Sequence, residues 1–284
     1  MPAVRELRPE KCPIGGGTES FRLFSYSAPP RGEVGFPRPA GEAYRREIWQ
    51  FNGSRHMVSR HQMGVATSYS GDYVDATYGG VDGMRAAFDR VVGLPPEKSD
   101  NAGRVHRVRE FAATHFTGRQ PVKLLDVGAG LGVFPHAARK IGWDCTAIDP
   151  DKRAVDHLER EVGVNAICDD FMTVANLGRF DIVTFNKVLE HVNDPVAMLH
   201  HAHAFLAPHI ELPDGEMAAE EGQGREEFFI EHLHIFSFAS TVMLANQAGF
   251  APLAVERHRE PSGKFTLRTF LVPDRDASRF PTAA

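Results

Sequence analysis

The stretch that most constrains this chain is residues 124–132, Leu124-Leu125-Asp126-Val127-Gly128-Ala129-Gly130-Leu131-Gly132. It is an apolar strand that ends on an acid and passes through three alternate glycines into a helix. Glycine tolerates positive φ and lets a ligand approach bare backbone, and the helix that follows carries a partial positive charge at its start. A strand, glycine-rich turn and helix in this order opens a βαβ unit, which commits the chain to a parallel sheet with crossover helices. The turn alone serves several nucleotide-containing cofactors. Asp126 narrows the set, because a fixed negative charge before the glycines repels a pyrophosphate but offers a partner to a ligand carrying an ammonium group. A nicotinamide dinucleotide is therefore the disfavoured rival.

The flanking pattern agrees with a doubly wound α/β sheet. Residues 105–116 have helical spacing and lead into the apolar run 122–127. A helix is expected over 133–141, a strand over 143–148, a helix over 152–162, short strands at 166–168 and 180–185, and a helix over 195–206. A fifth strand follows at 210–212, a helix at 239–248, and two closing strands at 252–258 and 265–272. Residues 213–225, rich in Gly, Glu and Ala without a period, read as an insertion or lid loop. The first 100 residues differ. Pro29-Pro30, Pro37, Pro39, Gly15-Gly16-Gly17 and the alternation Phe21-Arg22-Leu23-Phe24 predict a small strand-and-loop appendage, with a strand over 44–51 and a helix over 84–92. The expected division is an appendage over 1–100 and a cofactor-binding domain over 101–284.

Composition excludes some partners. With 32 Lys and Arg against 37 Asp and Glu, the formal net charge is -5, so no global positive field is available for a phosphate backbone. A nucleic-acid substrate is disfavoured, and the arginines at 45–46 and 104–109 read as solvated surface. Cys12, Cys145 and Cys168 are too few, and odd in number, for a disulfide framework. No apolar run of about 18 residues is present, so neither a leader nor a membrane span is expected. The expectation is a cytoplasmic protein with a small-molecule acceptor.

Further acids stand where a nucleoside would need them. Asp149 closes the second strand, 23 positions after Asp126, where a carboxylate can accept both hydroxyl protons of a ribose. Farther on, the end of the fourth strand carries Asn186-Lys187-Val188-Leu189-Glu190-His191-Val192, and His191 there faces the cleft of an open α/β sheet. A third cluster, Glu231-His232-Leu233-His234-Ile235-Phe236-Ser237, sets ionisable groups among apolar ones, which raises a carboxyl pKa, lowers an imidazole pKa and favours proton transfer. Two i, i+2 histidines without a third ligand in view make a weak metal signal, and no metal site is expected. His200, His201 and His203 read as a solvated helix face.

The segment 124–132 resembles motif I of the class I S-adenosylmethionine-dependent methyltransferases, and residues 180–192 resemble the same family's fourth-strand motif. The resemblance implies a Rossmann-like methyltransferase fold, S-adenosylmethionine as cofactor and S-adenosylhomocysteine as product. It assigns Asp126, Gly128, Ala129, Gly130, Gly132, Asp149 and Asn186 to the cofactor. Asp169, or Asp170 by a one-residue slip, would contact the adenine amine, with Phe171 packing on the ring. The Glu231-His232 segment resembles the C-methyltransferases of nucleotide-linked deoxy-keto sugars, which implies acid–base work by Glu231 and His232 with His191 at the same site. That family opens with a zinc-binding domain of two Cys pairs. Here Cys12 keeps one cysteine of the first pair and Phe51-Asn52-Gly53-Ser54 stands in place of the second, so zinc is not expected. No counterpart of the family's large C-terminal domain is expected. An O-methyltransferase of a sugar or secondary-metabolite hydroxyl is the alternative, and a catalytically silent cofactor-binding protein is the alternative of another class. Tyr69, Tyr73 and Tyr78 are candidates to cover the cofactor.

Overall fold

The computed structural model describes residues 7–36, 38–39, 41–64, 77–116, 118, 121–205 and 207–275. The chain opens with strands β1 (Ser20–Tyr26), β2 (Arg46–Phe51) and β3 (Met57–His61), then helices α1 (Val81–Val92) and α2 (Asp100–His115). The alternating part follows as β4 (Lys123–Val127), α3 (Val133–Lys140), β5 (Asp144–Asp149), α4 (Lys152–His157), β6 (Asn165–Cys168), β7 (Ile182–Asn186), α5 (Pro195–His201) and β8 (Ala207–Pro213). The last elements are α6 (Gly215–Glu221), β9 (His234–Ile235), α7 (Phe238–Gln247), β10 (Phe250–Arg259) and β11 (Phe265–Pro273).

Seven strands form the main sheet in the order β10-β11-β8-β7-β4-β5-β6. The five from β4 to β8 pair in parallel, and β11 joins β8 antiparallel with β10 at the edge. Strand order reverses beside β4, with β5 and β6 on one side and β7 and β8 on the other. That reversal opens a crevice at the carboxyl ends of the strands, where open α/β sheets bind ligands. Both faces are covered. Leu125, Val127, Val183 and Phe185 enter one apolar cluster, while Leu124, Cys145, Ala147 and Ile182 enter another, so successive strand residues feed opposite faces.

The N-terminal strands make a second sheet, ordered β1-β2-β3-β9. Its last strand comes from far along the chain: Met57 pairs with Ile235 and Val58 with His234. Cys12, Ile14, Trp49, Phe51 and Val58 share one core cluster with Val127 and Phe185. Packing is thus continuous across residue 100. Cys12 Sγ lies 3.3 Å from the Ser54 hydroxyl, and burial pushes its thiol pKa up.

Three sequence expectations are corrected. Residues 213–225 are not a lid loop: Asp214 caps helix α6, accepting from the Glu216 and Met217 N–H groups at 3.1 and 3.4 Å. The helix is too short for a period to show, and it buries only Gly215 and Ala218. The arginines are not all solvated, since Arg46 and Arg104 are buried in ion pairs with Glu33 and Glu211. Of the histidine trio, His200 is exposed as expected, but His201 and His203 are half-buried. His200 and His203 each reach the Ala248 carbonyl, His203 stacks on Phe250, and His201 meets Phe171 edge-on. Among the described residues no helix is long and apolar enough to cross a membrane. Tyr69 and Tyr73 lie outside the described residues.

Candidate functional site

A cavity of ≈ 740 Å³ opens at the strand reversal, and its lining includes Asp126, Gly128, Ala129, Gly130 and Asp149 together with His191, Glu231 and His232. Its volume falls within the roughly 300–1,000 Å³ typical of small-molecule sites. Tyr78 also lines it.

The three glycines do different things. All take positive φ, +64, +50 and +69 for Gly128, Gly130 and Gly132. A Cβ on Gly132 would come within 2.5 Å of Leu158 and 2.8 Å of Val162, and one on Gly128 within 2.9 Å of Val188, so these two let the loop pack. A Cβ on Gly130 would meet only the Gly128 carbonyl at 4.0 Å. Gly130 therefore presents its open side to the cavity, while its N–H donates to Asp149 at 3.0 Å. The other Asp149 oxygen accepts from the Asp151 N–H at 2.9 Å. Each oxygen keeps a lone pair for a ribose hydroxyl.

Asp126 is buried at the end of β4 and accepts from the Thr184 hydroxyl at 2.6 Å and the Asn186 amide at 3.0 Å. Burial still pushes its pKa up to about 6, against the pull of these bonds and of Arg104. Asn186 Oδ1 is buried without a hydrogen-bond partner. An under-compensated carboxylate beside an orphaned carbonyl oxygen suits a ligand ammonium, and Asp149 suits its ribose, so the donor set fits S-adenosylmethionine.

In the same cavity, backbone carbonyls orient two imidazoles. His191 Nδ1 donates to the Glu231 carbonyl and His232 Nδ1 to the Glu227 carbonyl, each at 2.9 Å. A carbonyl can only accept, so in each neutral ring Nε2 bears the lone pair. Ring centroids are 4.9 Å apart. Burial lowers the His191 pKa to about 4, and burial with the neighbouring His191 pulls His232 well down. Glu231 is pushed the other way, up to about 7, mainly by burial, and its Oε2 has no hydrogen-bond partner.

Glu190 is the site residue that sequence reasoning passed over, although it adjoins His191 in the same motif. It is fully buried, neither carboxyl oxygen has a partner, and burial pushes its pKa up to about 8. Ligand atoms of Glu190, His191 and His232 lie within 4.8 Å of one another, close enough to share a cation. The positive charge of Lys187, which acts on Glu190, competes with a dication for that carboxylate. The sequence placed any metal signal on His232 and His234 instead. His234 in fact faces His56, 3.1 Å between ring nitrogens, inside the small sheet's core.

The adenine contacts expected of the third strand are not assembled. Phe171 is 3% exposed and packs edge-on against Phe185, so its ring is spent on the core and cannot cover a ligand. Asp169 and Asp170 are exposed beyond β6, do not line the cavity, and accept from the Asp170 and Met172 N–H groups of the turn.

A methyltransferase-domain family model matches residues 98–255. The chain is 31% identical over 122 residues to a ubiquinone biosynthesis O-methyltransferase of Caulobacter sp. (strain K31), covering 38% of this chain and 48% of that protein. It is 32% identical over 128 residues to the protein of the same name from Azotobacter vinelandii, covering 43% and 53%. The matches thus span about half the length of these curated relatives. Among solved structures, magnesium protoporphyrin IX methyltransferase from Synechocystis PCC 6803 with bound S-adenosylhomocysteine superposes with a TM-score of 0.54 at 14% identity, over 72% of this chain and 97% of that one. The Burkholderia thailandensis 1,6-didemethyltoxoflavin-N1-methyltransferase, also with S-adenosylhomocysteine, gives 0.50 at 15% identity, over 79% and 98%. At such identities the likeness is one of fold. With the family model covering more than half of its length and the sheet order described above, this chain belongs to the methyltransferase-domain family.

Proposed function

We propose that the chain is an S-adenosylmethionine-dependent methyltransferase that methylates a carbon next to a carbonyl on a small biosynthetic intermediate, a nucleotide-linked keto sugar in the first instance. The observation that carries this reading is that Glu231, His232 and His191 meet in the cavity that also holds Asp126, Gly130 and Asp149. When bound, the cofactor supplies an electrophilic methyl group on its sulfonium.

Asp126 and the orphaned Asn186 oxygen hold the cofactor ammonium, and Asp149 holds the ribose. Enolising the acceptor needs a base at carbon and an acid at the carbonyl oxygen. His232, neutral and with its Nε2 lone pair available, takes the α-proton. Glu231, pushed up to about 7, is about half protonated at neutral pH and gives a proton or hydrogen bond to the carbonyl oxygen. His191 provides a second neutral imidazole beside the first to receive the proton. A base and an acid side by side are more than a hydroxyl acceptor requires, which favours carbon.

The test is incubation with a nucleotide-linked deoxy-keto sugar in deuterated water. Deuterium entering the α-carbon without cofactor, and a labelled methyl group on that carbon with it, is the expected result. An O-methyl product with no exchange would overturn the carbon reading. Methylation of a hydroxyl is the second reading, favoured by the relatives named as O-methyltransferases. Glu231→Gln separates the two: loss of roughly 10²–10⁴ in turnover is expected if an acid is needed at the carbonyl, against little change if one imidazole base suffices.

A further inference from the structure

Lys187 follows Asn186 at the cavity wall and has φ 60, a left-handed conformation that is strained for any residue with a side chain. Only two other described non-glycine residues share it, Arg55 and Asn176, and neither lines the cavity. The turn is held by the Lys187 N–H donating to the Glu211 carbonyl at 3.0 Å. Such strain is retained where the surrounding structure aims a residue at a site.

The side chain so aimed is a partly buried cation. Among the described residues the Lys187 ammonium has no hydrogen-bond or ion-pair partner, and burial lowers its pKa. Its surroundings do not neutralise it. Glu211 is already shared by Arg104 and Arg268. Neither carboxyl oxygen of Glu190 has a hydrogen-bond partner, so Glu190 makes no direct bond to Lys187. Lys264 adds a like charge to the same cavity, its own ammonium 2.9 Å from Glu226. A buried charge without a counter-charge is costly, and a bound anion would relieve it.

We infer that the methyl acceptor enters as an anion and that Lys187, supported by Lys264, binds its charged oxygen. This rests on reading the cavity as an acceptor site, and it names the acceptor class: a small molecule with a carboxylate or phosphate. Lys187 acts by ion pairing and transfers no proton.

The test is calorimetric titration of the full chain, saturated with S-adenosylhomocysteine, with inorganic pyrophosphate, benzoate and the neutral benzyl alcohol. At least one anion is expected to bind more tightly than the alcohol and to weaken tenfold or more in Lys187→Met, with partial rescue in Lys187→Arg. Lys187→Gly removes the charge and the backbone strain together, so the same loss in a variant with an unchanged melting curve rules out misfolding as the cause. Preference for pyrophosphate identifies a phosphate, and preference for benzoate a carboxylate. Equal anion binding by Lys187→Gly and wild type, or no preference of the wild type for anions, would overturn the inference. S-adenosylhomocysteine affinity, read first, reports on the methyltransferase reading alone: its absence would sink that reading, whereas its presence without anion binding would sink only this one.

Discussion

Asp126 is a carboxylate that the fold keeps at a cost, buried and with a pKa pushed up to about 6 although two side chains donate to it. A ligand ammonium would repay that cost as a charge-assisted hydrogen bond, worth about 1.5–3 kcal/mol. Asp126→Asn keeps the acceptor for Thr184 and removes the charge, so affinity for S-adenosylmethionine should fall by about 10- to 100-fold on a calorimeter. Methylthioadenosine, which lacks the ammonium, should bind both proteins alike. An equal loss for both ligands would mean that Asp126 supports the loop rather than the ligand. At this scale the sequence was most legible where chemistry is local. The carboxylate, Gly128, Gly130, Asp149 and Asn186 sit within a few residues of strand ends and line one cavity, whereas Gly132 packs against Leu158 and Val162 behind it. Phe171 was not legible, because whether an aromatic next to a turn faces a ligand or the core depends on Phe185 and His201, which are remote in sequence. Glu190 was missed for the same reason: nothing adjacent to it shows that both its oxygens end without partners.

At the scale of elements, an ion network fastens α2 to the antiparallel side of the sheet. Glu211 on β8 accepts from Arg104 of α2 at 2.8 Å and from Arg268 of β11 at 3.1 Å, and Arg268 in turn reaches Glu260 at 2.7 Å. Burial raises the pKa of Glu211, but Arg104 above all, with the charges of Lys187 and Arg268, overcomes it and holds the carboxyl far below its usual range. Breaking a buried pair from one side costs about 3–5 kcal/mol, because the remaining charge is stranded. Glu211→Gln should therefore lower the melting temperature by on the order of 10 °C. The partly exposed pair Arg107–Glu256 is the control, and Glu256→Gln should cost under about 1 kcal/mol in the same calorimetric scan. Similar losses would show that burial does not set the cost. Strands and long helices could be read from the sequence by period, whereas this network could not. Glu211 lies more than 50 positions from each of the arginines that it joins, Arg104 and Arg268, and no local pattern marks an arginine as buried. β9 escaped for a related reason: it contributes two residues, and its pairing with β3 is non-local.

For the whole molecule, proton uptake by buried groups sets how stability depends on pH. Burial lowers the pKa of His209 to about 3 and of His191 and His234 to about 4, and pulls His56 and His232 well below 6.5. When the chain unfolds below pH 6.5 these imidazoles take up protons, so stability is lost as pH falls from 6.5 toward 4. The buried acids act in the opposite sense. Asp126, Glu231 and Glu190 are raised to about 6, 7 and 8, so each holds a proton in the folded state that the unfolded chain releases. That penalty is absent below the unfolded values, grows as pH rises, and is complete above each folded pKa. Between pH 4 and 6.5 the five histidines outnumber the three acids. Above pH 7 these histidines are neutral in both states, and of the three acids only Glu190 and Glu231 still respond. The cofactor-free protein should therefore be most stable at about pH 6.5–7 and lose stability on either side, more steeply toward acid. Glu190→Gln isolates one contributor. Its melting temperature relative to wild type should climb between pH 5 and 8 and level off above 8, where the wild-type carboxylate is ionised in both states. A constant offset across that range would mean that Glu190 is ionised in the fold throughout, held by a counter-charge such as Lys187, and the alkaline decline would then belong to Glu231 alone.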